Sequence, residues 1–361
     1  MIFRIFTAML SVIIFCFSAP VIANDESWTD RLAFKSDLRL RYEGIEEEGE
    51  RNRDRMRIRA RIGLDAKIQE DLSFVFRLAT GGDNPVSTNQ TLDGSFSTKD
   101  IGVDLAYVDW QVNDVIAINA GKMKNPMFRA GSAPMIWDGD LNPEGIAAKF
   151  GSGMLFGAIA AFSVDERSTE GDSLLYAMQA GAKVGLGDAS KLTVGLSYFT
   201  YTNTIGYEPF YKAKPRGNSV DGDGDAYIYG YKNIEIFGQF DTEVMDWPLR
   251  LYVQYTKNNE VSVEDTAYSF GATLGSVKKK GDMQFVWIYQ DIQADALIAA
   301  FNDSDFGGGG TDSKGHLLRT KYGFSKKVAL GGTFFLNQID RFQGTEHDYN
   351  RVQIDLEFKF N

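Results

Sequence analysis

The sequence predicts an all-β fold, a transmembrane antiparallel up-and-down β-barrel of about 16 strands. Three observations lead to this prediction. Apolar and polar residues alternate with a period of two, as in strands with one face in lipid and the other in water. Beyond the first 23 residues, no stretch approaches the roughly 20 consecutive apolar residues that a transmembrane helix needs. The long connections between predicted strands all fall at one rim.

The alternation is clearest in the second predicted strand. Charged residues occupy nearly every second position from Arg55 to Lys67, and apolar residues stand between them. The run is too long for a strand of an ordinary sandwich, but it suits a tilted strand that crosses a bilayer and extends beyond it. The first and the last strands repeat the pattern. Read in this way along the chain, the sequence predicts sixteen strands, near 32–42, 53–68, 72–80, 101–112, 115–123, 143–150, 153–164, 172–186, 190–202, 226–241, 247–258, 262–277, 281–293, 314–325, 328–340 and 348–360.

The connections sort by parity. Those after even strands are short, for example Asn113-Asp114 and Lys326-Lys327. Those after odd strands include every long one: 81–100, 124–142, 203–225 and 294–313. An outer-membrane barrel has this asymmetry, with short periplasmic turns and long extracellular loops. A sixteen-stranded barrel is too wide for its own side chains to fill, so it encloses an aqueous channel unless a loop narrows it.

Composition and the N-terminus restrict the class of protein. The chain has 361 residues, and its 26 Phe, 16 Tyr and 5 Trp exclude disorder. The net charge of −11 argues against a surface that binds nucleic acid. Residues 1–23 have the basic start, apolar run and small residues of a cleaved signal peptide; the alternative is an uncleaved membrane anchor. Removing 1–23 leaves an exported chain without cysteine.

Several motifs in the same order carry a family resemblance. They are Leu38–Gly44, the arginine run from Arg53 to Arg61, Val86–Leu92, Ala106–Trp110, Gly121–Pro126 and Trp137–Gly145. Together they resemble the putative porin family of Gram-negative outer membranes and, more distantly, the phosphate-selective porins. The resemblance implies a passive, trimeric channel for small hydrophilic solutes in the outer membrane, embedded in outer-membrane lipid. One departure is that Asn361 follows Phe360, whereas outer-membrane strands commonly finish on an aromatic residue.

A stripe of basic residues on the first two strands is the feature that most directly suggests a mechanism. Like charges that face each other across strands are destabilising, so water, acids or a ligand must offset them. Planar arginine donors suit carboxylate, phosphate and similar oxyanions. One interpretation is a basic wall that favours anions; the other is a wall whose arginines pair with acids such as Asp37, Asp65, Asp104 or Asp109 and select nothing. The predicted pore-lining residues are Lys35, Arg39, Arg41, Arg55, Arg57, Arg59 and Arg61.

The loop 124–142 is the second predicted feature of the pore. In general porins the third long loop folds inward to form the constriction, and the resemblance implies the same here. Loop acids that face wall arginines would make a transverse field, which orients dipolar solutes. The alternative is an ordinary extracellular loop. The predicted constriction residues are Lys124, Arg129, Asp138, Asp140 and Glu144.

Three further motifs give weaker signals. Asp221, Asp223 and Asp225 alternate as in a calcium loop, but Ala226 and Lys232 break the pattern, which favours an acidic surface loop. Tyr227, Tyr229 and Tyr231 suggest either a stacking surface for sugars or, more simply, an interfacial girdle. Residues 307–310, four glycines, suggest a loop tip.

The rival functions are a barrel enzyme and a closed barrel that serves as an adhesion or phage receptor. With only His316 and His347 and no cysteine after residue 23, the sequence suggests no catalytic group, cofactor or transition-metal site. A closed lumen is compatible with the sequence, and conductance distinguishes it from a channel.

Overall fold

The computed structural model describes residues 28–342 and 344–360, and most of these residues form one β-sheet. The predicted signal peptide, 1–23, lies outside the described residues. The strands are β1 (Leu32–Glu47), β2 (Arg53–Lys67), β3 (Leu72–Thr80), β4 (Gln90–Thr91), β5 (Ile101–Gln111), β6 (Ile116–Lys122), β7 (Glu144–Ser152), β8 (Leu155–Asp165), β9 (Ser173–Gly185), β10 (Lys191–Tyr201), β11 (Lys232–Val244), β12 (Trp247–Asn258), β13 (Thr266–Gly275), β14 (Met283–Ile292), β15 (Ser313–Gly323), β16 (Val328–Ile339) and β17 (His347–Phe360). Short 3-10 turns lie at Trp28–Arg31, Ala130–Ser132, Ala299–Phe301 and Phe306–Gly308.

The sheet closes on itself. β1 pairs antiparallel with β2 along one edge and with β17 along the other, and the remaining long strands pair antiparallel in chain order. Sixteen strands are long, and β4, with two residues, extends the line of β3 alongside β2. The predicted sixteen-stranded barrel is therefore confirmed. Within the described part of the chain, no helix has the length and apolar character needed to cross a membrane.

The connections alternate around the barrel as the sequence predicts. One rim, the turn rim, carries seven short turns. The other, the loop rim, carries eight loops: L1 (48–52), L2 (81–100), L3 (123–143), L4 (166–172), L5 (202–231), L6 (259–265), L7 (293–312) and L8 (340–346).

Two strand bounds differ from the prediction by five residues or more. β1 continues to Glu47, because its alternate residues Glu43 and Ile45 still face the barrel interior. The strand predicted to begin at residue 226 begins at Lys232. Tyr227 belongs to L5, where its backbone pairs with Tyr207 and its ring is buried. The three tyrosines therefore form neither a strand face nor an interfacial girdle.

The wall has an apolar outer face and a polar inner face. Exposed apolar side chains alternate with buried polar ones along many strands, including β10 and β12, which is the pattern of a barrel in a bilayer. The outer face includes Leu40, Met56, Ile62, Ile159, Ile236, Val253, Phe270, Phe334, Leu336 and Ile354. The inner face includes Gln179, Ser197, Glu235, Gln239, Gln254, Ser269, Gln290, Thr333 and Gln353.

Loop L3 packs against the inner wall. The backbone of Phe128 exchanges two hydrogen bonds with the Gln179 side chain, and the Gly131 N–H donates to Gln239 Oε1 at 2.8 Å. Gly131 has a φ of 62°, and a Cβ there would lie 2.1 Å from Tyr252 Cδ1. Only glycine allows so close an approach, so Gly131 helps to fix the position of L3 on β9, β11 and β12.

Loops L3, L5 and L7 also pack on one another inside the barrel. Trp137 of L3, Phe210 and Tyr231 of L5, and Ile298 of L7 lie in one buried apolar cluster with residues of the wall. The Asp138 N–H donates to Phe301 O at 2.9 Å, which ties L3 to L7. The loops thus have a shared core of their own, supported by the wall.

Asn218 of L5 holds L7 in place. Its side chain is 2% exposed, and its Nδ2 donates to Ala294 O and Leu297 O, both at 2.8 Å. Its Oδ1 accepts from the Ala299 N–H at 2.9 Å. The Asn218 side chain therefore forms hydrogen bonds with three buried backbone groups of L7.

Replacing Asn218 by Leu should loosen L7 while the barrel remains intact. The change leaves buried backbone groups unpaired, which costs about 2 kcal/mol or more. Amide hydrogen exchange across 293–312 should become about tenfold faster or more. Asn259→Ala in the exposed part of L6 is the control, because no side-chain hydrogen bond of Asn259 appears among the described residues. Unchanged exchange across 293–312 in Asn218→Leu would contradict this assignment.

Candidate functional site

The basic residues predicted to line the pore share the inner face of β1 and β2. The strand register sets Arg39 directly opposite Arg59, and Arg41 directly opposite Arg57. Arg55 faces an acid, Glu43. We call Arg39, Arg41, Arg55, Arg57, Arg59 and Arg61 the arginine stripe. Two pairs of like charges face each other in it, and this arrangement requires compensation.

Acids of the wall supply part of the compensation. Asp37 pairs with Arg59 at 3.3 Å and with Arg61 at 2.8 Å. Glu43 pairs with Arg55, and with Arg57 at 3.6 Å. Asp355 of β17 receives two hydrogen bonds from the Arg41 guanidinium, at 2.6 and 2.8 Å. Each acid lies on the strand beside the arginine that it binds.

Two loops bring further acids to the stripe. Asp140 of L3 lies 3.6 Å from both Arg59 and Arg61. Asp305 of L7 lies 3.0 Å from Arg41, and it also pairs with Arg351 of β17. Both loops therefore face the arginine side of the barrel.

The loop acids fall into two electrostatic classes. Burial opposes ionisation of Asp140 and Asp305, but the arginines around each one outweigh burial and hold its pKa below the usual range. Burial, with neighbouring acids, raises the pKa of Asp138 well above its usual value and that of Asp303 to about 6. Asp138 and Asp303 are therefore the acids of this region that are most easily neutralised.

Arg39 has a neutral partner. Its Nη2 donates to the side-chain oxygen of Asn89 in L2 at 2.6 Å, and among the described residues no carboxylate lies within 4 Å of its guanidinium. Arg57 donates to the backbone oxygen of the same Asn89 at 3.3 Å. The Nε atoms of Arg39, Arg57 and Arg59 are buried without a partner in the described part of the chain. Asn89 thus orients two arginines without neutralising either.

Two cavities lie on the two sides of this contact. The inner cavity, of about 440 Å³, opens toward the turn rim, and the arginines that line it are Arg39, Arg59, Arg61 and Arg77. The outer cavity, also of about 440 Å³, opens toward the loop rim, and it is lined by Arg53, Arg55, Arg57, Arg216 and Arg351. The two cavities have no lining residue in common. The region between them, which we call the eyelet, contains Arg39, Arg57 and Asn89.

A third cavity, of about 480 Å³, is lined by residues of L2 and L3 and of the adjoining strands. It is acidic, with Asp83, Asp104, Asp140 and Glu144 against Lys122. Asp140 therefore stands between an acidic cavity and the arginine stripe.

The other predicted pore residues have different settings. Lys35 pairs with Asp65 near the turn rim, and Lys124 lines the inner cavity. Arg129 donates to Trp137 O at 3.0 Å within L3. Glu144 begins β7 and pairs with Lys122 at 2.8 Å, away from the arginine stripe.

The calcium pattern has no support in the geometry. Asp221 Oδ1 accepts the backbone N–H of Asp225 at 2.9 Å, as in an ordinary turn. Among the residues that the structure describes, no three His, Cys, Asp or Glu side chains are grouped as metal ligands would be.

Several residues of the site were not singled out from the sequence. Glu43, Arg351 and Asp355 occupy inward positions of alternating strands, so the strand pattern contains a signal for them. Asn89 and Asp305 lie in loops, and the sequence has no signal for which wall residue a loop will meet.

Comparisons with known proteins agree with this architecture. The sequence matches the family described as Putative porin over residues 45–232 and 229–360. The fold resembles Pseudomonas putida OprB in its high-pH structure, with 14% identity, coverage of 92% of this chain and 95% of that chain, and a TM-score of 0.61. It also resembles a triple mutant of the Rhodopseudomonas blastica porin, with 10% identity, coverage of 91% and 100%, and a TM-score of 0.53.

No curated protein gives a sequence match. The family match spans most of the chain, and the strand order agrees with it. The chain therefore belongs to the Putative porin family, and its closed sixteen-stranded barrel is that of an outer-membrane porin.

Proposed function

We propose that this porin is a passive channel for small hydrophilic solutes and that it favours anions. The observation that carries the proposal is the excess of cationic side chains in both cavities beside the eyelet. The inner cavity is lined by seven basic residues and three acids, and the outer cavity by five arginines and one acid, Glu47. A wall with such an excess lowers the electrostatic barrier for anions and raises it for cations.

Pairing with acids does not cancel this excess. Arg39 has a neutral partner, and Arg55 and Arg57 of the outer cavity share one acid, Glu43. The whole chain is acidic, with a net charge of −11, so the basic lumen is a local feature. The family and the fold indicate a channel rather than an enzyme.

We further propose that L3 acts as a constriction loop, in company with L2 and L7. Asp140 of L3 and Asp305 of L7 face the arginine stripe from within the lumen, and Asn89 of L2 lies between Arg39 and Arg57. Acids on one side and arginines on the other support a transverse field across the eyelet. Oxyanions suit the planar donors of the arginine stripe.

The proposal extends to export and assembly. We expect cleavage of residues 1–23, insertion with the loop rim facing outward, and a homotrimer, because the signal-like N-terminus and the family resemblance favour them.

A second candidate function is a closed barrel that serves as a receptor, and one observation favours it. The inner and outer cavities share no lining residue, and L3, L5 and L7 pack on one another inside the barrel. Single-channel recording separates the candidates: a fixed conductance that increases with salt supports a channel, and silence supports a closed barrel.

Two isosteric substitutions should shift selectivity in opposite directions. Asn89→Asp adds a negative charge beside Arg39 and Arg57, so the chloride-to-potassium permeability ratio should fall by roughly twofold or more. Asp140→Asn removes a negative charge beside Arg59 and Arg61, so the ratio should rise. Reversal potentials in a KCl gradient measure both changes, with Asp221→Asn in the exposed part of L5 as the control. Shifts of the same sign, or none, would refute a selective eyelet.

Selectivity should also depend on pH. Burial and the neighbouring Asp305 raise the pKa of Asp303 to about 6, so this carboxylate loses negative charge as the pH falls from about 7.5 to about 5. Anion preference should increase over this interval. Asp303→Asn should raise anion preference at neutral pH and reduce its dependence on pH. If Asp303→Asn titrates like the unmodified protein, Asp303 does not influence the eyelet.

A further inference from the structure

We infer that the outer cavity is a binding subsite for a small oxyanion that also carries hydroxyl groups, such as a hydroxylated carboxylate. The inference rests on the proposed function, because it assigns a ligand class to one part of the anion-favouring path. It adds saturable binding on the loop side of the eyelet, which diffusion through a charged pore does not require.

The first observation is a set of buried guanidinium N–H donors without acceptors. The Nε atoms of Arg57, Arg216 and Arg351 are buried, and no acceptor lies within reach among the described residues. All three side chains line the outer cavity, although they come from β2, L5 and β17. Buried donors without acceptors are unfavourable, and an oxyanion in the cavity offers several acceptor atoms to such groups.

The second observation is that nearby acids leave part of the positive charge free. Glu43 and Asp305, which do not line the cavity, pair with Arg55, Arg57 and Arg351. Glu47 lies 3.4 Å from His347.

Arg53 and Arg216 have no such partner. In the described ranges, 28–342 and 344–360, neither has a carboxylate within 4 Å. Arg216 instead lies over the Tyr211 ring, 5.2 Å from its centroid. Its charge remains available to an anion.

The third observation is a buried acceptor without a donor, and it is the reason for proposing hydroxyl groups on the ligand. Asn302 of L7 is 1% exposed and lines the outer cavity, and its Oδ1 has no donor among the described residues. Chloride or a simple carboxylate such as propionate has no polar hydrogen to donate to this oxygen. A hydroxylated carboxylate presents acceptors to the arginines and a donor to Asn302.

The backbone of L7 makes the cavity wall rigid at this point. Gly310 has a φ of 122°, and a Cβ there would lie 2.1 Å from Arg216 O. The Thr311 N–H donates to the same Arg216 oxygen at 3.0 Å. Close contact between L5 and L7 therefore holds the Arg216 backbone in place beside the cavity. The volume of about 440 Å³ falls within the range of roughly 300 to 1,000 Å³ that is usual for small-molecule sites.

The test uses three probes added on the loop side of the reconstituted full-length channel in KCl. Sodium D-gluconate carries a carboxylate and hydroxyl groups, propionate carries only the carboxylate, and glucose carries only hydroxyl groups. Gluconate should reduce the current saturably, with a half-blocking concentration at least about fivefold below those of propionate and glucose. Equal, non-saturating effects of all three probes would overturn the inference.

Two variants connect the block to the cavity. Arg216→Gln should raise the half-blocking concentration of gluconate by about fivefold or more. Lys212→Gln is the matched control, because it removes one positive charge from an exposed position of the same loop, outside the cavity lining. Equal shifts in the two variants would show a general surface-charge effect and would overturn the subsite.

Asn302→Ala tests the hydroxyl contact. It should bring the half-blocking concentration of gluconate close to that of propionate, and a preserved preference for gluconate would overturn the assignment of Asn302. If this variant does not fold, the comparison of Arg216→Gln with Lys212→Gln still tests the subsite. Reversal potentials of the same channels keep the two proposals apart: anion preference without saturable block refutes the subsite alone, and cation preference refutes the proposed function.

Discussion

The repulsion between arginines that face each other across β1 and β2 is the constraint on which the pore depends. The register of the closed barrel sets Arg39 against Arg59 and Arg41 against Arg57, and a one-residue slip would turn the arginine stripe toward lipid. Such contacts persist only where water or acids offset them. The wall offers Asp37, Glu43 and Asp355, and loops bring further acids.

The loops inside the barrel supply the remaining partners of the arginines. A sixteen-stranded barrel leaves a wide lumen, which L2, L3, L5 and L7 partly fill. The apolar cluster shared by L3, L5 and L7 and the amide of Asn218 hold these three loops in place. From there L3 and L7 present Asp140 and Asp305 to the arginines, while L2 presents the neutral Asn89. Acids pair with some of the arginines, and the Asn89 amide orients others. The arginines are therefore held in place, while basic residues still outnumber acids in the lining of the inner and outer cavities.

The sequence predicts the barrel well because its period-two alternation is a local property. The strand count, the sorting of the connections and the inward direction of the arginine stripe all follow from it. It fails at residues 226–231, where an alternating run of tyrosines supports L5 instead of a strand. The partners of the arginines are less predictable, because Asn89 and Asp305 reach β1 and β2 from loops distant in sequence. Alternation cannot encode how such loops fold within the lumen.

We infer that the path through the barrel carries more positive than negative charge. The reversal potential of the reconstituted protein in a KCl gradient measures the sign of this charge. We expect a potential displaced toward the chloride equilibrium value, with a smaller displacement at high ionic strength because salt screens the wall charges. A potential displaced toward the potassium equilibrium value, or none at any salt concentration, would contradict it.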